Sequence, residues 1–205
     1  MPQYWLMKTE PESFSIDDLE RVKVEPWSGV RSMFARFHMR NMTVGDPILF
    51  YHSSCEPPGV AGLAKVVRTR VIDETQFDPA SKYYDPKATR EKPIWDCVDV
   101  ELVARLPRFV SLGEIRADLV CADMMLLKRG MRLSVQPIDE QHYARIVAIA
   151  GEPAPDEDVL KAAARTSSPK SAKARGTMTK PKTKSKAKAK TKPKAKTRPK
   201  TKKKR

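Results

Sequence analysis

The sequence has few of the residues from which metal sites and disulfide frameworks are built. Its 205 residues include only three cysteines and three histidines. The cysteines lie far apart and form no CxxC pair, so neither a zinc knuckle nor a disulfide framework is indicated. His52 and Cys55 have ligand-like spacing, but no second pair accompanies them. We therefore predict no metal site and no cofactor.

Long apolar runs and familiar catalytic signatures are also missing. No stretch approaches the roughly 20 apolar residues that span a bilayer, and the first residues lack the pattern of a secretory signal. The chain has no Walker loop, no GxGxxG after a strand, no GxSxG elbow and no HExxH helix. We expect a non-secreted protein without a membrane segment, in a reducing compartment, and we assign no catalytic residue.

Acidic residues are absent from the end of the chain, and this absence divides the sequence in two. Residues 166–205 hold 18 Lys and Arg and no acid, whereas residues 1–165 hold 22 Lys and Arg against 25 acids. The basic segment has almost no side chain that can fill a core, so burial cannot offset the entropy of ordering it. We predict one domain over residues 1–155 and a disordered, Lys/Ala/Pro/Thr-rich basic tail over residues 156–205.

Hydrophobic periodicity predicts an α+β domain. Strands are expected at about residues 3–8, 47–52, 60–72, 95–103 and 132–136. Helices are expected after Ser15, from about Ser28 to Met42, from Ser111 with a break to about Leu127, and after Asp139. In the second helix, Val30, Met33, Phe34 and Phe37 form an apolar stripe that we expect to face the core. The irregular alternation of these elements indicates a small mixed or barrel-like sheet.

Aromatic and polar residues gather where the predicted strands end and the helices begin. Trp27 precedes residues 28–31, where a helix N-terminus and the Arg31 guanidinium could bind an anion. Residues 51–53, Tyr-His-Ser, end an apolar strand, and Trp95 begins another. A flipped planar base needs aromatic walls for stacking and a few hydrogen-bonding groups at its edge. Packing in a core explains the same aromatic residues, so the pattern alone leaves both interpretations open.

Five blocks follow one another along the sequence. They are YWLMKTEPES at Tyr4–Ser13, WSGVR with a following AR at Trp27–Arg36, GDPILFYHSSCEPPGVAGLAKV at Gly45–Val66, QFDPASKYYDP at Gln76–Pro86 and WDCVDV at Trp95–Val100. The order and wording of these blocks resemble the EVE-domain family. The resemblance continues through RFVSLGEIR and LSVQPI, so it covers about residues 2–150.

The resemblance implies a PUA-like fold, in which helices surround a small mixed β-barrel related to YTH and ASCH domains. It also implies a reader of modified bases, chiefly modified cytosine, in an aromatic pocket. Block by block, it places the following residues near that pocket: Lys8, Trp27, Arg31, Asn41, Tyr51, His52, Ser53 and Trp95. The implied roles are ring contacts for the two tryptophans, edge or sugar hydrogen bonds for His52 and Ser53, and phosphate contacts for Lys8 and Arg31.

The leading hypothesis is a monomeric module that binds DNA or RNA through a modified base, with no membrane partner. The basic tail resembles the C-terminal arms of linker histones and of basic bacterial DNA-associated proteins, which bind phosphate without reading sequence, or it is a localisation signal. We expect a cytoplasmic or nucleoid location in a bacterium and a nuclear one in a eukaryote. Two alternatives stay open. One is a PUA-like enzyme, a nuclease or amidohydrolase, that uses Lys8 and Glu10, and the other is a structural nucleoid or chromatin protein.

Overall fold

A six-stranded mixed sheet forms the centre of the described part of the chain. The structure is a computed structural model, and it describes residues 2–153. The predicted tail and the predicted domain boundary at residue 155 lie outside the described residues. No helix within residues 2–153 is long and apolar enough to cross a membrane.

Within residues 2–153, six strands and four helices follow one another irregularly, and the predicted combination of a mixed sheet with a few helices is confirmed. The strands are β1 (Tyr4–Thr9), β2 (Val24–Pro26), β3 (Pro47–His52), β4 (Gly59–Ile72), β5 (Asp96–Ser111) and β6 (Val135–Ile138). The helices are α1 (Ile16–Val22), α2 (Met33–Asn41), α3 (Leu112–Ala117) and α4 (Glu140–Gly151), with 3-10 turns at Glu74–Gln76 and Met125–Leu127.

The sheet is open, so the predicted closed barrel is wrong. Its strand order is β2-β5-β4-β3-β1-β6, with β1 and β3 parallel and every other pair antiparallel. The two edge strands are short, with three residues in β2 and four in β6. Each also contains a proline, Pro26 or Pro137, and proline cannot donate to a further strand. The edges therefore offer few groups through which the sheet could close.

The sheet is apolar on both faces because neighbouring residues of its central strands alternate between two cores. Trp5 and Phe50 belong to the first core, where they meet buried residues of α1 and α2. Leu6 and Leu49 belong to the second core, with buried residues of α3 and α4. The period of two along a strand produces this division. It explains why the apolar run of β3 is continuous.

Helix α2 differs from its prediction in both its start and its orientation. It begins at Met33 rather than Ser28, after Ser32 caps it by accepting a hydrogen bond from the Ala35 N–H group. Its buried residues are Ala35 and Met39, whereas Phe34 of the predicted inward stripe is 74% exposed.

The helix turns its arginine face towards the sheet because of a charged anchor. Both Arg36 and Arg40 bind the Asp96 carboxylate at the start of β5. Met33 and Phe37 therefore lie on the exposed side with Phe34, each 61% exposed. An apolar pattern at helical spacing predicted the helix but not the direction of its apolar face.

Two later elements also have bounds that differ from the prediction. The capping box of Ser111 and Glu114 is present, but α3 ends at Ala117, because Asp118 caps it and binds Arg145 of α4. The predicted strand at residues 132–136 begins three residues later, at Val135, and β2 was not predicted at all.

Candidate functional site

An open cleft of about 950 Å³ lies beside the carboxyl ends of the parallel strands β1 and β3. Its wall includes residues 8–10 at the end of β1, residues 13–14 after it, and residues 53–54 after β3. Residues 25–32 form another part of the wall, and Lys82, Tyr83, Arg132 and Ser134 complete it. Of the eight residues predicted at a pocket, Lys8, Trp27, Arg31 and Ser53 line this cleft.

Trp27 joins the cleft to the first core. Its ring meets Phe50 edge-on, with centroids 5.6 Å apart, and only 7% of the residue is exposed. Its backbone N–H donates to the Val98 carbonyl oxygen at 2.8 Å, which continues the pairing of β2 with β5 beyond Pro26. Trp27 therefore packs against Phe50 in the first core and also lines the cleft.

A close contact between Gly29 and Tyr83 forms the next part of the wall. Gly29 has a φ of +78°, and a Cβ added there would lie 2.5 Å from the Tyr83 ring. Only glycine combines this left-handed backbone with space for the ring above it. The WSGVR segment therefore passes directly beneath Tyr83, which belongs to the excursion between β4 and β5 (residues 73–95).

Asp73 and Arg31 lock these two segments together. The Asp73 carboxylate accepts from the Gly29 N–H at 2.8 Å and from Arg31 Nη1 at 2.7 Å. Arg31 also donates to the Tyr83 carbonyl and to the Thr75 hydroxyl. Burial alone raises the pKa of Asp73, but hydrogen bonds from Thr75, Arg31 and Gly29 outweigh it and hold that pKa below its ordinary value. The Arg31 guanidinium, predicted at a phosphate, is bonded to protein groups.

Trp95 lies outside the cleft. The guanidinium groups of Arg31 and Arg36 lie 5.2 Å and 5.6 Å from the Trp95 ring centre, and its Nε1–H donates to Asp85 at 2.8 Å. Trp95 therefore packs against the guanidinium of Arg31 and does not contribute to the cleft lining. Beside it, the buried Gln76 amide closes the base of the excursion. Its oxygen accepts from the N–H groups of Ile94 and Trp95, and its nitrogen donates to the carbonyls of Asp73 and Trp95.

Tyr51, His52 and Asn41 also lie away from the cleft lining. Tyr51 points into the second core, because it alternates with Phe50 along β3. His52 Nε2 accepts a hydrogen bond from the Ile16 N–H at 3.1 Å, so the ring caps the first N–H group of α1. Burial lowers the pKa of His52, which favours the neutral ring that this bond requires. Asn41 is exposed at the end of α2.

Cationic groups lie at the rim of the cleft and on the other face of β1. Lys8 lines the cleft, but its Nζ lies 5.8 Å from the ring centre of Tyr51 on the second-core side, and burial lowers the pKa of its ammonium. Lys82 and Arg132 are exposed at the rim, and Lys82 Nζ lies 4.9 Å from the Tyr83 ring centre. Sequence reasoning missed both residues, because neither belongs to a periodic or aromatic pattern.

Two carboxyl groups line the same cleft. Glu10 Oε1 accepts from the Ser54 hydroxyl at 3.0 Å, and within the described part of the chain no ion pair joins it to Lys8. Glu25, which the sequence did not single out, lies on β2 two residues before Trp27. The cleft thus combines an aromatic wall, exposed cations and carboxyl acceptors, which together suit a planar ligand that carries both donors and phosphate.

One cluster elsewhere has the composition of a metal site. His142 is buried at the start of α4, and its Nε2 lies 2.8 Å from Asp123, while Nδ1 lies 3.7 Å from Asp139. Both ring nitrogens thus already face carboxylates, and His142 completes the Asp139 capping box. This arrangement serves the start of α4.

The fold and the site define a class of small α+β proteins in which an open mixed sheet carries an aromatic-walled cleft beside its parallel strands. The model of the EVE domain matches residues 3–149. The chain belongs to the EVE-domain family, and the resemblance drawn from the sequence blocks is confirmed.

Relatives and solved structures agree with this assignment. The chain is 38% identical over 172 residues to thymocyte nuclear protein 1 of Danio rerio, covering 74% of both chains. It is similar to a hypothetical protein from Leishmania major, with 48% identity and a TM-score of 0.71 over 74% of this chain and 96% of that one. It is also similar to human THYN1 protein solved in complex with 5-methylcytosine-containing DNA. That structure has 34% identity and a TM-score of 0.70, over 74% of this chain and 99% of the other.

Proposed function

We propose that this chain binds nucleic acid and holds a modified cytosine, with 5-methylcytosine as the first candidate, against Trp27 in the cleft. The observation that carries the proposal is the cleft itself, in which a fixed indole lines a space flanked by exposed cations. A base stacks on an aromatic ring, and hydrogen bonds to its edge select among bases. The relative solved with 5-methylcytosine DNA supports the choice of ligand.

Phosphate contacts come from the rim in this proposal. Lys82 and Arg132 are exposed, whereas the Arg31 guanidinium is held by Asp73 and the Lys8 ammonium lies over Tyr51, so we assign the phosphate role to the two rim cations. The basic tail adds sequence-independent attraction, because each Lys or Arg that neutralises a phosphate releases counterions. Phosphate contacts position the ligand, and the cleft specifies it.

The experiment compares two tryptophans. Binding of the full chain is measured against oligonucleotides that differ only in one base, cytosine or 5-methylcytosine, in single-stranded and duplex form. Trp27→Ala should cost about 1–3 kcal/mol of base-specific binding, the scale of base–aromatic stacking. Trp95→Ala is the matched control, since it removes an indole that packs against Arg31 outside the cleft lining. It should lower stability more than base preference.

Thermal melts accompany every binding measurement, so that loss of fold is separated from loss of contact. Equal affinity of the unaltered chain for the two oligonucleotides would refute the proposal. A Trp27→Ala variant that folds and keeps the full preference would move the base site away from this cleft.

A further inference from the structure

Glu25 shares one face of the sheet with Trp27. In the antiparallel pair of β2 with β5, Glu25 opposes Val100, and directly opposed residues lie on the same face. Val100 belongs to the first core, whose face also carries the cleft. Trp27, two residues further on, returns to that face. The short edge strand thus presents a carboxyl group and an indole side by side in the cleft wall.

The Glu25 carboxyl group has no protein partner within residues 2–153. It makes no hydrogen bond or ion pair there, whereas the other cleft acid, Glu10, accepts from Ser54. Partial burial, with a smaller contribution from Asp99, raises the pKa of Glu25. A negative group that faces a polyanion weakens binding unless a donor on the ligand meets it. An unpartnered carboxyl group in this position therefore points to a donor on the bound base.

We propose that Glu25 accepts a hydrogen bond from the exocyclic amino group of the bound base, so that the cleft selects cytosine bases over thymine. The inference rests on the proposed function. Thymine carries the same methyl group as 5-methylcytosine, but it presents a carbonyl acceptor where cytosine presents an amino donor. Stacking on Trp27 holds both, because every base has a π face. A carboxyl acceptor meets the amino group and opposes the carbonyl oxygen.

The test measures binding of the full chain to single-stranded oligonucleotides with 5-methylcytosine, cytosine or thymine at one position. Single strands are used because a mispaired thymine in a duplex is easier to extrude than a paired base. The variants are Glu25→Ala and the isosteric Glu25→Gln. Glu101→Gln is the control, since it removes the same charge from β5, where Glu101 pairs with Lys65 outside the cleft.

The unaltered chain should bind 5-methylcytosine about ten-fold or more tightly than thymine, the scale of one base-edge contact. Both Glu25 variants should bring this ratio close to one, partly by gaining affinity for thymine. Such a gain cannot come from a misfolded protein. Glu101→Gln should leave the ratio unchanged.

Three results would overturn the inference, and they separate it from the proposed function. If the chain prefers 5-methylcytosine and both Glu25 variants keep the full ratio, the inference is wrong and the proposed function stands. If Glu101→Gln changes the ratio as much as Glu25→Gln, the effect belongs to net charge and the inference is wrong. If the unaltered chain binds all three oligonucleotides equally, both are wrong.

Discussion

Replacing Asp73 tests whether one buried carboxylate holds the wall of the cleft. Asp73 is 2% exposed, and its carboxylate accepts four hydrogen bonds, two from Thr75 and one each from Gly29 and Arg31. Removing one partner of a buried ion pair costs about 3–5 kcal/mol, because the other charge is left without compensation. Arg31 keeps its bonds to Tyr83 and Thr75 and is partly exposed. We therefore expect Asp73→Ala to cost the lower value, about 3 kcal/mol of unfolding free energy.

The assay is urea denaturation of the unaltered chain and its variants at pH 7. Glu74→Gln is the matched control, because Glu74 is the next residue and pairs with Arg90 at 3.1 Å, with both side chains largely exposed. An exposed pair contributes at most about 1 kcal/mol. Asp73→Asn serves as the charge-only variant, since it keeps the side-chain volume.

The pH dependence gives a second, independent measurement. The pKa of Asp73 in the folded chain lies below its ordinary value of 3.8, so the unfolded chain takes up this proton first. The stability from Asp73 is complete above that ordinary value and is lost as pH falls through the folded pKa. The difference in unfolding free energy between the unaltered chain and Asp73→Asn should therefore become smaller as pH falls below 3.8. A cost below about 1 kcal/mol for Asp73→Ala, the value typical of an exposed pair, would refute the reasoning. So would a difference that is the same at neutral and acidic pH.

Three further predictions concern backbone, proton and salt. Gly29→Ala should cost about 1–3 kcal/mol, because it forces a side chain into the left-handed region and against Tyr83; unchanged urea denaturation would contradict the contact. His52→Gln keeps an acceptor for the Ile16 N–H but cannot be protonated. Burial lowers the pKa of His52 below 6.5 in the folded chain, so its contribution to stability is complete above 6.5 and is lost as pH falls through the folded pKa. The variant should therefore lose less unfolding free energy over this pH range. Identical pH profiles of urea denaturation would contradict this. Deleting residues 166–205 removes 18 basic residues and should remove most of the slope of log K against log salt, at about 0.9 per neutralised phosphate. An unchanged slope would place the electrostatic contact elsewhere.

The sequence predicted two kinds of element correctly. One is a strand that is apolar on both faces, and the other is a helix start that depends only on residues within one turn. The continuous apolar run of β3 indicated a strand covered on both faces, and both cores receive its residues. Ser15 and Asp139 indicated helix starts because capping depends on residues within one turn.

The site could be predicted only in part, because long-range contacts decide which way its side chains point. Trp95 is an aromatic residue at the start of a strand, which is typical of a pocket residue. Its ring instead contacts the guanidinium groups of Arg31 and Arg36, outside the cleft lining. The inverted face of α2 depends on Asp96, which lies far away in the chain. Glu25 lies on a three-residue edge strand that has no periodicity to reveal it.

The closure of the excursion by Gln76 fixes the two ends of the loop at residues 77–93. The Gln76 side chain donates two hydrogen bonds and accepts two, and these four bonds hold the two ends of the loop together where β4 and β5 meet. Loop closure entropy changes only slowly with length once the ends are joined. The loop contributes Lys82 and Tyr83 to the cleft wall, so a substitution of Lys82 would alter the cleft without altering the sheet. One buried glutamine therefore lies between the sheet, which supports the cleft, and the loop that contributes to its wall.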